Sequence, residues 1–201
     1  MAEELQTQAE IVSAARSRFR RFGYAKTSMQ EIAEDCGMSA ANIYRYYKNK
    51  QAIAAVVVEA DLDRLYDACQ RAVEAAGPHL VTQLTALFEA IIDTTRRQIK
   101  QTPLLFELSM AVTREMPALR LQVLAEVRRM LPAIVEAAQA RGEIRGGDAA
   151  ADADLILLAG APFVMPWLLR NQPFGDPRNK VAPLMTCLVA GLAAPQSIST
   201  H

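Results

Sequence analysis

The stretch from Thr27 to Lys50 constrains this chain more than any other. Ser28 stands three residues before Glu31, the spacing of a capping box, so a helix is expected to open there. Ile32, Ala33 and Cys36 give that helix a small apolar face suited to close packing. Gly37 is where a left-handed residue would end it. Ser39 offers a second cap, and a second short helix is predicted from about Ala40 to Tyr46, with Ile43 and Tyr47 one turn apart and facing inward. Two short helices joined by a tight turn make a helix-turn-helix, whose second helix suits the major groove of a duplex.

The flanks complete a small head. Thr7 and Glu10 repeat the capping-box spacing and predict the start of a first helix that Gly23 closes. Ile11, Ala15, Phe19 and Phe22 recur at helical spacing and are expected to support the helix-turn-helix from behind. Arg16, Arg18, Arg20 and Arg21 are spread around that helix, either as a solvated face or as phosphate contacts. Asn49 caps a long fourth helix predicted over Lys50 to Ala75 and stopped by Gly77-Pro78. Its first turn belongs to the head and its last turns to the body of the chain.

Ile32-Ala33, Gly37, Ser39, Ile43-Tyr44 and Tyr47-Lys48-Asn49-Lys50 stand where the TetR family of bacterial transcriptional regulators has its pattern. Phe19, Phe22-Gly23-Tyr24 and Thr27 extend the resemblance, which covers roughly Ile11 to Val56. Tyr47 departs from the usual Phe, and Ile53 from the usual Leu. The resemblance implies an all-α protein: a three-helix DNA-binding head over 1–55, joined by the long fourth helix to a helical effector-binding and dimerisation domain over 56–195. It also implies backbone contacts at Tyr44, Tyr46 and Lys50, and loss of DNA affinity when a small effector binds the body.

Charge distribution agrees with such a division. The chain has no net charge, yet Ser13 to Lys50 carries eight Lys/Arg against three Asp/Glu, leaving the remainder acidic by the same amount. About half the residues are apolar (51%), enough for a sizeable core. Cys36, Cys69 and Cys187 lie far apart with no CxxC spacing, which argues against a zinc site or disulfide framework and for a reducing, cytoplasmic setting. Met1 to Glu10 is acidic and polar, unlike a secretory signal. The apolar run Leu155 to Leu169 is too short to span a bilayer. His79 and His201 are the only histidines, and no Gly-rich phosphate loop is present, so neither an enzyme nor a cofactor is expected.

Beyond Gly77 the pattern is helical throughout. Helices are predicted over Leu80–Gln101, from Thr102-Pro103 to Arg114, and from Pro117 to Ala140 with Pro132 kinking or splitting it. Another is capped by Asp148 or Asp152 and runs to about Arg170, bent at Pro162 and Pro166. A last one runs from Asp176-Pro177 to Ala193, before a polar tail at 196–201.

The candidate DNA contacts are Ser28, Gln30, Ser39, Ala40, Ala41, Asn42, Tyr44, Arg45, Tyr46, Lys48 and Lys50. Gln30 can reach a base edge or a phosphate. Asn42 can pair with adenine, and alanine methyls can touch thymine methyls. Lys50, at the start of the fourth helix, is expected to hold a phosphate. Phe106, Met110, Phe163, Met165 and Trp167 are candidates for lining a ligand cavity, with plain core packing as the alternative. Leu155 and Leu158, with a seam of Leu184, Leu188 and Leu192 beside small Gly191, are the candidate homodimer surface. The expected partners are an operator duplex, a mainly apolar effector and a second copy. A helical protein-interaction adaptor is the alternative.

Overall fold

The computed structural model describes residues 2–173 and 175–193, and at 117, 118, 120, 122 and 123 the backbone alone. Among these residues there are ten helices and no strand. They are α1 (Ala2–Phe22), α2 (Met29–Asp35), α3 (Ala40–Tyr46), α4 (Lys50–Ala75), α5 (Leu80–Gln101), α6 (Pro103–Glu115), α7 (Pro117–Ala140), α8 (Ala149–Val164), α9 (Pro166–Asn171) and α10 (Arg178–Ala193). The tail expected at 196–201, with His201, lies outside the described residues.

The chain forms two compact units. One comprises Met1–Arg64 with Arg97–Leu121, the other Leu65–Arg96 with Gln122–His201, so the division falls within α4, α5 and α7. The sequence suggested a single boundary near residue 56. The contacts instead place α6 in the same unit as the head, a long-range pairing that local periodicity does not encode.

The first unit closes around Ile11, Ala15 and Phe19 of α1, Ile32 and Ala33 of α2, and Ile43 of α3, each fully buried. Ile53, Ala54 and Val57 of α4 and Leu105, Leu108 and Val112 of α6 complete the cluster. Phe19 meets Tyr24 edge-on at 5.5 Å between ring centres. Burying a side chain of Phe19's size stabilises the fold by about 1.5–3 kcal/mol relative to exposure. Helix α1 begins by Ala2, ahead of the expected cap: Thr7 Oγ1 donates to the Glu3 carbonyl at 2.9 Å, a bond inside the helix. Gly23, at φ +85°, ends it as expected.

The second unit packs Leu80, Leu84, Leu87, Phe88 and Ile92 of α5 against Leu131 and Val135 of α7, Ile156 and Phe163 of α8, and Val181, Met185 and Leu192 of α10. Gly160 lets α8 approach α5: a Cβ there would lie 2.1 Å from Phe88 Cζ. Asp152 is 3% exposed and accepts from Arg145 Nη2 at 2.9 Å and Gln139 Nε2 at 3.3 Å. The Arg145 backbone N–H and Nη1 both donate to the Leu192 carbonyl at 3.1 Å, satisfying a group near the end of α10 that the helix itself leaves open. Asp148, not Asp152, caps α8, accepting from the Ala150 and Ala151 amides.

One helical expectation changes, and one is narrowed. Met165 leaves helical geometry at ψ 108°, as a residue before proline tends to, and Pro166 then starts α9 in its first turn. The single helix expected to reach Arg170 is therefore two. Pro132 lies inside α7, which continues through it.

Candidate nucleic-acid interface

The helix-turn-helix is assembled from its own polar groups. Ser28 Oγ accepts from the Glu31 amide at 3.2 Å, and the Ser28 amide donates to Glu31 Oε2 at 2.8 Å, completing the capping box. That amide, then the Ser28 hydroxyl, hold the Glu31 carboxyl below the usual range. Gly37, at φ +65°, turns the chain, and the Met38 amide returns to the Ala33 carbonyl at 3.0 Å. Ser39 Oγ then accepts from the Asn42 amide at 3.2 Å and starts α3.

With Ile43 fully buried, the opposite face of α3 is left to solvent. Ala40, Ala41, Tyr44 and Arg45 are exposed there, Tyr44 at 54%. Asn42 is half-buried, and its Oδ1 accepts from Arg45 Nη1 at 3.4 Å. Gln30 is exposed on α2 and donates to Glu34 at 3.0 Å. Lys48 is exposed, whereas Tyr46 is half-buried and packs, with Tyr47, against the core of this unit.

Lys50 opens α4 as expected, and its ammonium is engaged within the unit. Its Nζ donates to the Tyr24 carbonyl at 2.7 Å and the Thr27 carbonyl at 2.6 Å, and lies 4.4 Å from the centre of the Tyr24 ring. Burial pushes the ammonium below its ordinary range, against a smaller upward pull from Glu31. The lysine ties the first turn of α4 to the loop between α1 and α2, and two of its three donors are taken. The sequence shows a lysine at a helix start; only the positions of two distant carbonyls reveal that it points inward.

A second tie was also missed. Arg18 Nη2 donates to Asp35 Oδ1 at 3.0 Å and Arg18 pairs with Glu31 at 3.1 Å, joining α1 to both ends of α2. Arg18 holds the Asp35 carboxyl below its usual range. Arg16 pairs with Asp61 at 2.7 Å. Arg20, Arg21, Lys26, Arg45 and Lys48 have no carboxylate at ion-pair distance among the described residues.

The five candidate cavity residues are not gathered within one unit. Phe106, buried, and Met110, half-buried, belong to the first. Phe163 is buried in the second against Phe88, while Met165 and Trp167 are exposed. A cavity of about 190 Å³ in the second unit is lined by Pro162, Phe163, Leu168, Pro173 and Pro177, with Lys180. Only Phe163 of the five lines it.

The candidate dimer residues differ in exposure. Leu155 and Leu158 are exposed on α8, at 49% and 73%. Leu192 is buried in the unit's own core, and Leu184 and Leu188 are half-buried against it. The outer face of α10 carries small residues instead: Thr186, Cys187, Ala190 and Gly191. Among the described residues, no helix is long and apolar enough to cross a membrane.

Comparison with known proteins matches the chain in two stretches. The pattern of "Bacterial regulatory proteins, tetR family" matches residues 11–57, and that of "Tetracyclin repressor-like, C-terminal domain" matches 81–182. The HTH-type transcriptional regulator TtgR of Pseudomonas putida is 37% identical over 65 residues, 32% of this chain and 29% of that protein. The chain thus matches less than a third of this curated relative's length. A protein of unknown function from Rhodococcus sp. RHA1 shares the fold with a TM-score of 0.67, at 24% identity over 94% of this chain and 96% of that one. SmeT, the repressor of the Stenotrophomonas maltophilia multidrug efflux pump SmeDEF, shares it at 0.57, with 16% identity over 93% and 90%.

Proposed function

Because the chain belongs to the TetR family of bacterial regulatory proteins, we propose that its first unit docks on duplex DNA and that the protein regulates transcription, as a repressor. The observation that carries this is the outer face of α3. Its polar start is capped, its inner face is buried, and Tyr44, Arg45 and Lys48 stand exposed beside cations without carboxylate partners. Such cations release counterions from a phosphate backbone when they dock, and base edges are then read from the groove.

Two copies related by a two-fold axis would read a palindromic operator, with half-sites about 34–36 Å apart for helices one duplex turn apart. Leu155 and Leu158 of α8 with the small outer face of α10 form the surface we assign to that pairing, since side chains this large and apolar are otherwise left in water. A small, mainly apolar ligand in the second unit would release the DNA. It must bind the state that holds DNA weakly more tightly than the other, because equal affinity shifts nothing. The cavity at Phe163 supports an apolar ligand class.

The test is titration of the purified protein with random and selected duplexes across a salt series, alongside sedimentation. The expected result is binding that falls steeply with salt, by a species of twice the 22.0 kDa chain mass. Binding to no duplex at low salt would overturn the DNA reading, and a monomer at micromolar concentration would overturn the dimer.

A further inference from the structure

The first turn of α3 is the part of a recognition helix that meets base edges, and here it presents two methyl groups. Ala40 and Ala41 are exposed, and Tyr44, one turn on, adds an exposed ring to the same strip. The polar side chains around them are engaged. Ser39 Oγ accepts from the Asn42 amide at 3.2 Å, Asn42 Oδ1 accepts from Arg45 at 3.4 Å, and Gln30 Nε2 donates to Glu34 at 3.0 Å. Asn42 Oδ1 keeps a second lone pair and Gln30 Nε2 a second N–H, so each can still meet a base edge, but only in the orientation its neighbour sets. The two methyl groups carry no such tie. The one apolar feature of the major-groove floor is the thymine C5-methyl.

We propose that Ala40 and Ala41 are specificity-determining residues that read thymine: each operator half-site places thymine C5-methyl groups against these side chains. This deepens the DNA-binding reading above and rests on it. The contact is a patch of apolar surface removed from water on both partners, so it discriminates thymine from cytosine and from uracil without any hydrogen bond. It also differs from the phosphate contacts in carrying no salt dependence.

The experiment selects bound sequences from a random duplex library with the full-length protein, then replaces each thymine of the consensus, one at a time, by deoxyuridine. The substitution removes one methyl group and leaves every hydrogen-bonding edge in place. Replacing a thymine under α3 should weaken binding about fourfold for each half-site, the weight of one buried methyl group, with no change in the salt slope. Ala40→Gly or Ala41→Gly should weaken the thymine duplex by a similar factor. Deoxyuridine at the paired position should then cost that variant nothing more, because a methyl contact is lost only once. The deoxyuridine series needs only the unaltered protein, so it stands even where a glycine variant fails to fold. A selected site whose thymines can all be replaced without loss, or a consensus with none, overturns the proposal and leaves DNA binding intact. Failure to select any duplex overturns the DNA-binding reading, and this proposal with it.

Discussion

Around α2 and α3, Arg20, Arg21, Lys26, Arg45 and Lys48 have no carboxylate partner among the described residues, whereas in the second unit Arg96, Arg128, Arg141, Arg145 and Arg178 each hold at least one. Arg178 reaches both Glu89 and Asp93, and Asp176 beside it takes Arg96, so these charges pin the start of α10 to α5. The second unit spends most of its arginines on itself, Arg71 excepted, and the first keeps much of its positive charge uncommitted. Uncommitted cations around a convex helix are worth nothing to the fold and are free for an outside anion. The same residue type therefore serves structure in one unit and a partner in the other, and what decides is whether a carboxylate was placed within reach.

The sharpest way to test the first half of this contrast is Arg145→Ala. It strands the buried Asp152 carboxylate and removes one of the two donors to the Leu192 carbonyl, so the second unit should lose about 3–5 kcal/mol in chemical denaturation. A loss below about 1 kcal/mol, the worth of a surface pair, would mean that the pair is not committed to structure at all.

Lys50 crosses the line between the two groups, since it lies in the head yet behaves as the body's cations do. Lys50→Met should destabilise the first unit by about 1.5–3 kcal/mol through its two carbonyl bonds, while the salt slope of DNA binding stays put. If the slope instead falls by about one for each half-site, the ammonium leaves Tyr24 and Thr27 for a phosphate on the duplex. Arg45→Ala and Lys48→Ala sharpen the other side: folding stability within about 0.5 kcal/mol of the parent, and a salt slope lower by about one for each half-site. An unchanged slope in both would show that these cations do not face the duplex.

The smallest effect is a pH dependence. Arg18 holds the Asp35 carboxyl below its usual range in the folded state. Its contribution is thus fully present above the ordinary carboxylate pKa and lost as pH falls through the lowered one, because the unfolded chain takes up its proton first. The stability difference between the parent and Arg18→Met, measured by thermal melting, should shrink on acidification. A gap independent of pH would assign Arg18's role to packing over Phe22, 5.8 Å from its guanidinium, and not to the ion pair.

Much of the head was legible because its instructions are local. Ser28 with Glu31, Gly37 and Ser39 specify a cap, a turn and a cap within a dozen residues, and Asn49 with Gly77 brackets α4 in the same way. What escaped depends on partners distant in sequence. Leu105, Leu108 and Val112 read as an ordinary helical stripe, and nothing within α6 says that its companion is α1. Leu184, Leu188 and Leu192 look alike at helical spacing, yet Leu192 turns into the core and the outer face falls to smaller residues. Thr7 and Glu10 have the right spacing for a cap, but a helix already running from Ala2 leaves that cap nothing to do. A proline's effect depended on its place: Pro166 begins a helix and Pro132 sits within one.

The contact between Gly160 and Phe88 bears on the paths by which this sequence can change. With the ring in place, alanine at 160 puts two carbons 2.1 Å apart, and the strain of such overpacking is about 1–3 kcal/mol. Shrinking Phe88 first opens a void instead, at about 3–5 kcal/mol for the loss of the whole ring and less for leucine. Each change alone is a setback, while together the added methyl fills part of the space the ring vacates, so their effects do not add. The side chain that position 160 tolerates therefore depends on what stands at 88, and the reverse.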